Sequence, residues 1–420
     1  MESRERRQLR DPRSGQAFLA GAAKISITPA DLTGLNPMGH SFRSVRDPIF
    51  VRALFIADGQ QSCALVAADL IEVGDTKDIR RRIAAELGIP SAGVLIAPSH
   101  THNAPRIGLV PPGGKARVPS PESLVYTESV YDAMVEAVRR ARASARPARV
   151  GLGRGTVDVN INREQYVAGR WVHGYNPAGP SDKTVVAIRF ASQSDETIAL
   201  LMNYAVHSTV TLGTAELSGD LAGAAAAYAE HALGGDAVAL WTSGALGDQG
   251  PRVSLDELPN PGERDRDMAH DAAKAQGMLV AATALRVAAN IERYAEAVDV
   301  SGAERVIACP VRRLEVPPGM EQADVDTVEL TLSCIQIGTI AVTGVSGEVT
   351  VPNYQALLAA SPLADTLLIS NANARIGYLP ADEDFARRTP AVEGCPIVQG
   401  HVRQSIVDGL AGMITAALIR

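Results

Sequence analysis

At 420 residues, with 46% hydrophobic and 21% charged side chains, the chain has ordinary globular composition, which excludes a disordered polymer and a membrane bundle. A formal charge of −7 and a pI near 5.7 exclude nucleic acid as a partner, because a polyanion needs a concentrated basic surface. Aromatic residues are scarce, at 4%, so alanine and valine must fill the interior, as suits helices packed closely on sheets.

The length passes the point at which one core keeps growing. The expected organisation is a leader over residues 1–16 and one domain over residues 17–420, with room for a sub-division near residues 290–300. The leader holds the one basic cluster, Arg4 to Arg13, in a polar tail that reads as disordered. It lacks the apolar core of a secretory signal, and no run of about 18 apolar residues exists elsewhere. A cytoplasmic protein without stable membrane insertion is therefore expected. Cys63, Cys309, Cys334 and Cys395 are far apart and form no CxxC pair, which fits reduced, structural thiols and not a thiolate zinc site.

Residues 17–30 read as a strand with a turn at Pro29, followed by a Gly/Pro-rich loop to about Pro48. Two apolar runs between Val51 and Ala68, flanking Gln60 and Gln61, predict a hairpin. Helical spacing over Thr76–Leu87 closes on Gly88. A short buried strand, Gly93–Ala97, leads into a histidine-bearing loop, and the Gly/Pro-rich segment Pro111–Pro121 reads as a mobile surface loop. Helix is predicted at Ser129–Ala145, then strands near residues 148–159 and 184–190. The strand Ile198–Ala205 delivers His207, and Leu221–Leu233 is an alanine-rich helix. Ala237–Thr242 is another buried strand. Residues 251–267, dense in Pro and charge, read as an exposed insertion before a long helix at His270–Ala289. From about residue 296 the chain is strand-rich to Thr343 and mixed thereafter. Such alternation predicts α/β architecture, mixed sheets flanked by helices.

The chemistry-bearing residues sit after apolar strands, where open α/β sheets place their sites. Pro98-Ser99-His100-Thr101-His102-Asn103 follows Val94–Ala97. Histidines at i and i+2 on an extended segment point to opposite sides, although a loop can relax that rule. One imidazole could then bind a metal while the other faces substrate; the alternative is a surface or capping role. His207 follows the next strand, and Asp220 in Ser218-Gly219-Asp220 reads either as a helix cap or as a carboxylate that orients an imidazole. Glu348 lies in Gly344-Val345-Ser346-Gly347-Glu348, where glycines permit close approach; a helix-start carboxylate is the alternative. Tyr378, in Gly377-Tyr378-Leu379-Pro380, reads by default as a packing aromatic. Two imidazoles and a carboxylate would satisfy a catalytic zinc site with an open position for water. A phenolate is a rarer ligand, needing the metal to ionise it.

These four segments, in this order, resemble the N-terminal catalytic domain of the neutral (alkaline, non-lysosomal) ceramidases. Gly21–Thr28, Met38-Gly39, Ala68-Asp69-Leu70, Asn160-Ile161-Asn162-Arg163, Asn176-Pro177 and Gly244–Pro251 are similar to further family stretches, so the likeness spans roughly residues 18–405. It implies a zinc hydrolase domain without the family's C-terminal β-rich domain. It implies Zn2+ as cofactor, held by His100, His207, Glu348 and Tyr378, and a zinc-activated water that attacks an N-acyl amide. His102 is implied as general acid/base and Arg163 as the group that meets developing negative charge, beside Tyr378. Asp69 and Asp220 are implied as supports of the ligands, and Arg106, Asn103 and Gly250 as substrate contacts.

Three departures mark the substrate side. Gly247-Asp248-Gln249-Gly250-Pro251 stands where the family has a G-D/N-x-S-P loop, so the serine hydroxyl is absent. The family's THTHSGPGG becomes SHTHNAPRI, and a tyrosine expected beyond Tyr378 is replaced by Arg388-Thr389-Pro390. The expectation is retained metal chemistry on a smaller, more polar small-molecule substrate, with Arg163 and either Arg106 or Lys115 in contact with it. Two alternatives stay open, a zinc hydrolase of an ester, lactone or glycosidic bond and a non-catalytic metal- or ligand-binding relative, because fold does not fix function.

Overall fold

Two sheets face each other, and helices cover both outer faces. The computed structural model describes residues 17–38, 41–254, 262–317 and 320–419. The leader and the middle of the 251–267 segment lie outside the described residues. In chain order the first strands are β1 (Leu19–Ser26), β2 (Phe50–Ala57), β3 (Ser62–Ala68), β4 (Val94–Pro98), β5 (Lys115–Arg117) and β6 (Arg146–Thr156). There follow β7 (Asn160–Val167), β8 (Arg170–Asn176), β9 (Thr184–Ser192), β10 (Thr197–Tyr204), β11 (Val238–Ser243) and β12 (Gln249–Pro251). The remainder are β13 (Val300–Pro310), β14 (Met320–Gln322), β15 (Thr327–Ile337), β16 (Ile340–Val345), β17 (Glu348–Val349), β18 (Asp365–Ser370) and β19 (Tyr378–Leu379).

The larger sheet has eight strands in the order β11-β10-β9-β6-β1-β2-β3-β4, and the smaller has four, β13-β15-β16-β18. Most neighbours are antiparallel, but β3 with β4, β10 with β11 and β16 with β18 run parallel. Alternate side chains of the two sheets meet in one apolar layer. Leu54, Ile56, Leu65, Ile188 and Phe190 come from the larger sheet, and Ile335, Ile337, Val342 and Leu367 from the smaller.

Helices α1 (Lys77–Leu87) and α2 (Pro121–Ala143) cover one part of the outer face of the larger sheet. The α3 (Asp220–Leu233) and α4 (Glu263–Ala289) pair covers the rest. On the far side, α5 (Val351–Ala360) and α8 (Val402–Ile419) cover the smaller sheet, with the short α6 (Asp382–Arg387) and α7 (Pro390–Glu393) between them. The mixed sheets flanked by helices are thus as the sequence predicts.

Boundaries differ where local chemistry decides them. The helix predicted from Ser129 starts at Pro121, because the Ser120 hydroxyl accepts the Ser123 amide and proline suits the first turn. Pro111–Pro121 is not a free loop: Pro111, Gly113 and Gly114 are buried, and β5 pairs with β14 from far along the chain. Composition and length alone would let α8 cross a bilayer. It instead lays Val402, Ile406, Leu410 and Ile414 on the smaller sheet, at the spacing of one helical face.

Candidate metal centre

The C-terminal ends of strands from both sheets open onto one place. β4 is followed by His100, β10 by His207, β16 by Glu348 and β18 by Asn371 and Arg375. At the end of β4 the backbone breaks its extended course, since His100 adopts a φ of 63°. That left-handed turn reconciles the i, i+2 spacing with a shared site: the Nε2 atoms of His100 and His102 lie 3.4 Å apart and their rings meet edge to face. Non-glycine residues pay for such a φ with about 1–3 kcal/mol, and they concentrate at functional sites.

Glu348 and Tyr378 arrive together. The two-residue strands β17 and β19 pair in parallel with Glu348 opposite Tyr378, so both side chains leave the same face. Gly347 permits this approach, because a Cβ there would stand 2.8 Å from the Gly377 carbonyl. Gly394 likewise leaves room for the Tyr378 ring, which a Cβ would approach to 2.4 Å. Arg163 sits in β7 where the pairing with β8 shifts register between Asn162 and Glu164, a bulge of the kind that re-aims a side chain.

The donor atoms converge. Nε2 of His207 lies 3.0 Å from Glu348 Oε2, and Nε2 of His100 lies 3.6 Å from Glu348 Oε1. Candidate ligand atoms of His100, His102 and His207 all fall within 4.8 Å of one another. Arg163 Nη2 donates to Tyr378 Oη at 2.8 Å and to the Gly247 carbonyl at 3.0 Å, and lies 3.1 Å from His207 Nε2. The Tyr378 and His207 rings stack with centroids 6.4 Å apart.

Backbone carbonyls fix the imidazoles from behind. His100 Nδ1 donates to Ile71 O at 2.6 Å, and His207 Nδ1 lies 2.8 Å from Leu246 O and 3.0 Å from Gln249 O. A proton on each Nδ1 leaves the inward Nε2 as a lone pair, the arrangement that metal-binding histidines share. Burial drives the His100 and His207 imidazoles down to about 4, and His102 well below its usual range. Burial alone would raise Glu348, yet Arg375 and then His100 hold it well below the carboxylate range. Neutral imidazoles beside an ionised carboxylate are the donor set a divalent cation requires.

Other residues named from the sequence lie elsewhere or act indirectly. Asp69 does not touch an imidazole: its carboxylate accepts from Arg52 Nη1 at 2.8 Å and from the Phe50 amide at 3.0 Å. The Ile71 carbonyl takes the orienting place that Asp69 was expected to fill. Asp220, itself at a φ of 52°, accepts from Ser208 Oγ, Thr211 N and Thr211 Oγ1. It therefore fixes the turn after His207 without touching the ring. Asn103 is buried with Nδ2 committed to Thr211 and Thr214, so its side chain is a loop brace and not a substrate contact. Gly250 is buried behind Arg163, whose Cβ would lie 3.7 Å from an added methyl. Arg106 pairs with Glu72 at 2.7 Å.

Two residues of the centre were not singled out from the sequence. Arg375 Nε donates to Glu348 Oε1 at 2.7 Å, and its Nη1 lies 3.3 Å from Glu72 Oε2. Glu72, 1% exposed, thus links Arg375 to Arg106. The available signal was a carboxylate directly after an apolar strand, in Asp69-Leu70-Ile71-Glu72, and a guanidinium ending the polar run Asn371–Arg375.

Comparison with known proteins points one way. Residues 18–285 match the sequence profile described as neutral/alkaline non-lysosomal ceramidase, N-terminal. A neutral ceramidase of Drosophila pseudoobscura pseudoobscura is 27% identical over 272 residues, covering 57% of this chain and 38% of the relative. The neutral ceramidase of Drosophila melanogaster is 26% identical over 272 residues, covering 56% and 38%. The match therefore spans well under half the length of these curated relatives. The crystal structure of neutral ceramidase from Pseudomonas aeruginosa superposes with a TM-score of 0.75 at 18% identity, over 96% of this chain and 75% of that one. A ceramidase complexed with C2 gives 0.73 at 18% identity, over 96% and 76%. At such identity the structural likeness speaks for the fold.

Proposed function

Since the chain belongs to the neutral/alkaline non-lysosomal ceramidase family, we propose that it is a zinc-dependent hydrolase cleaving an N-acyl amide bond in a soluble, non-ceramide substrate. The observation that carries this reading is the convergence of His100 and His207 on Glu348, with each Nδ1 tied to a backbone carbonyl and Tyr378 beside Glu348. Those four side chains would hold the metal. Zinc bound there supplies a Lewis acid and an activated water near neutral pH.

The rest is the work of the chain itself. His102, the least buried of the three imidazoles, is in place to take a proton from the attacking water and return it to the departing amine. Arg163 keeps a fixed guanidinium over Tyr378 and would meet the negative charge that grows on the amide oxygen. Thr101 Oγ1 donates to Ser218 O and Asn103 Nδ2 to Thr211 and Thr214, bracing the loop around His102, which limits the reorganisation the reaction demands. Gly250 offers no hydroxyl, so a covalent serine route has no nucleophile at that position. The guanidiniums of Arg163 and Arg375 beside the metal ligands support a small polar substrate over a two-tailed lipid.

A panel of water-soluble N-acyl amides and a short-chain ceramide tests the reading. Amide cleavage should stop on chelation, return with zinc and be lost in His102→Ala. Ceramide turned over as fast as the best soluble amide would remove the substrate claim. A zinc-loaded protein that cleaves no amide at all would remove the reaction.

A further inference from the structure

Cations line one side of the centre, and among the described residues close ion pairs form with Arg106 and Arg375 but not with Lys115 or Arg312. Arg106 and Arg375 share Glu72, and Arg375 also holds Glu348. Lys115 and Arg312 lie beside Arg375, held there by backbone contacts. Gln322 faces Lys115 across the β5–β14 pair, and its Nε2 donates to Gly113 O at 2.7 Å and Arg312 O at 3.1 Å. One amide thus clamps the chain next to Lys115 onto that of Arg312. Gly114 completes the grouping, since a Cβ there would stand 3.0 Å from the carbonyl of Ile376, the residue after Arg375.

Arg312 commits its guanidinium to carbonyls, Cys395 O at 2.9 Å and Val392 O, and forms no close ion pair among the described residues. Lys115 is half-buried and makes no ion pair among the described residues. Its nearest charges are the repelling Arg312 and Arg375 and the attracting Glu393 and Glu315, both of which are exposed. Burial first, and then Arg312, hold its ammonium below the usual lysine range. Like charges gathered in a partly desolvated place repel one another unless an anion joins them. A site that keeps them at such a cost is built to bind one.

We propose that Lys115, backed by Arg312 and Arg375, binds a carboxylate carried by the substrate, so that the preferred substrates are anionic N-acyl compounds. The proposal rests on the amide-hydrolase reading for its substrate but not for its anion site. A lysine suits this task as a point charge on a flexible stem, whereas the two guanidiniums are already engaged.

Matched kinetics test it. An N-acyl amino acid with a free carboxylate should exceed its own methyl ester by about tenfold in kcat/KM, and added salt should shrink that ratio. Lys115→Met should bring the ratio close to one through KM, and Lys115→Arg should restore most of it. Equal turnover of acid and ester by the native protein overturns the proposal, as does a ratio untouched in Lys115→Met. Calorimetry with glutarate on the purified protein separates the two readings. Glutarate binding that weakens about tenfold in Lys115→Met, in a protein that cleaves no amide, would uphold the anion site and end the hydrolase reading. No glutarate binding, or binding indifferent to Lys115, would end the anion site even if amides are cleaved.

Discussion

His100 occupies a backbone conformation that costs an L-residue about 1–3 kcal/mol, and the fold meets that cost by pinning its neighbours: the amides of Ser99 and His100 donate to Ala68 O and Leu70 O. Arg375 has the opposite character, stabilising two carboxylates at once. Glu348 and Glu72 are 0% and 1% exposed, and removing their shared partner leaves two buried charges under-compensated. Arg375→Met is expected to lower unfolding free energy in urea by about 3 kcal/mol, with an unchanged denaturant slope; a loss below about 1 kcal/mol would mean Glu72 and Glu348 are solvated or neutral. The four residues expected as ligands came from the family resemblance; their settings after apolar strands or among glycines drew notice, but left capping, surface and packing roles open. Glu72 and Arg375 could not be read, since an ion pair between distant segments leaves no local pattern. Asn103 and Asp69 misled for the same reason: their partners, Thr211 and Arg52, are set by packing.

Elements with strong periodicity were legible, including the β2–β3 hairpin, α1 with its Gly88 stop and the two buried strands that deliver the histidines. The β7–β8 hairpin was not, because its strands alternate irregularly around a bulge and face solvent in part. Close helix contact makes a prediction that opposes intrinsic propensity. Gly277 in α4 faces α3, where a Cβ would stand 2.5 Å from Leu221 O and 2.9 Å from Ala224 Cβ. Alanine favours a helix by about 1 kcal/mol over glycine, but forced separation of two packed helices costs about 1–3 kcal/mol. Gly277→Ala should therefore lower Tm, and a raised Tm would show that the helices part freely. At α6 a buried acid gives a pH signature. Asp384 Oδ2 accepts the Ala381 amide, while burial, and next Glu164, push its carboxyl up to about 6. Its folded pKa thus exceeds the unfolded value of about 3.9, so its contribution is full at low pH and is lost as pH rises through about 6. Urea titrations between pH 4 and pH 7 should show that decline in the native protein and a flatter profile in Asp384→Asn, which keeps the cap acceptor. Parallel profiles would reject the assignment.

For the whole molecule, the centre is a junction and not a pocket within one sheet. The larger sheet contributes His100 and His207 from the ends of β4 and β10, and the smaller contributes Glu348 and Tyr378 after β16 and β18. The apolar layer between the sheets sets their spacing, and that spacing decides whether the four donors reach one cation. Alternation of elements revealed the fold class, but it could not reveal that two sheets meet face to face, because sequence patterns record which side of a strand is buried and not what covers it. Metal content tests the account most directly. Purified protein should carry about one zinc per chain, and His207→Ala and Glu348→Ala should each lose it while keeping the native far-UV dichroism. Zinc retained in full by both folded variants would contradict the centre.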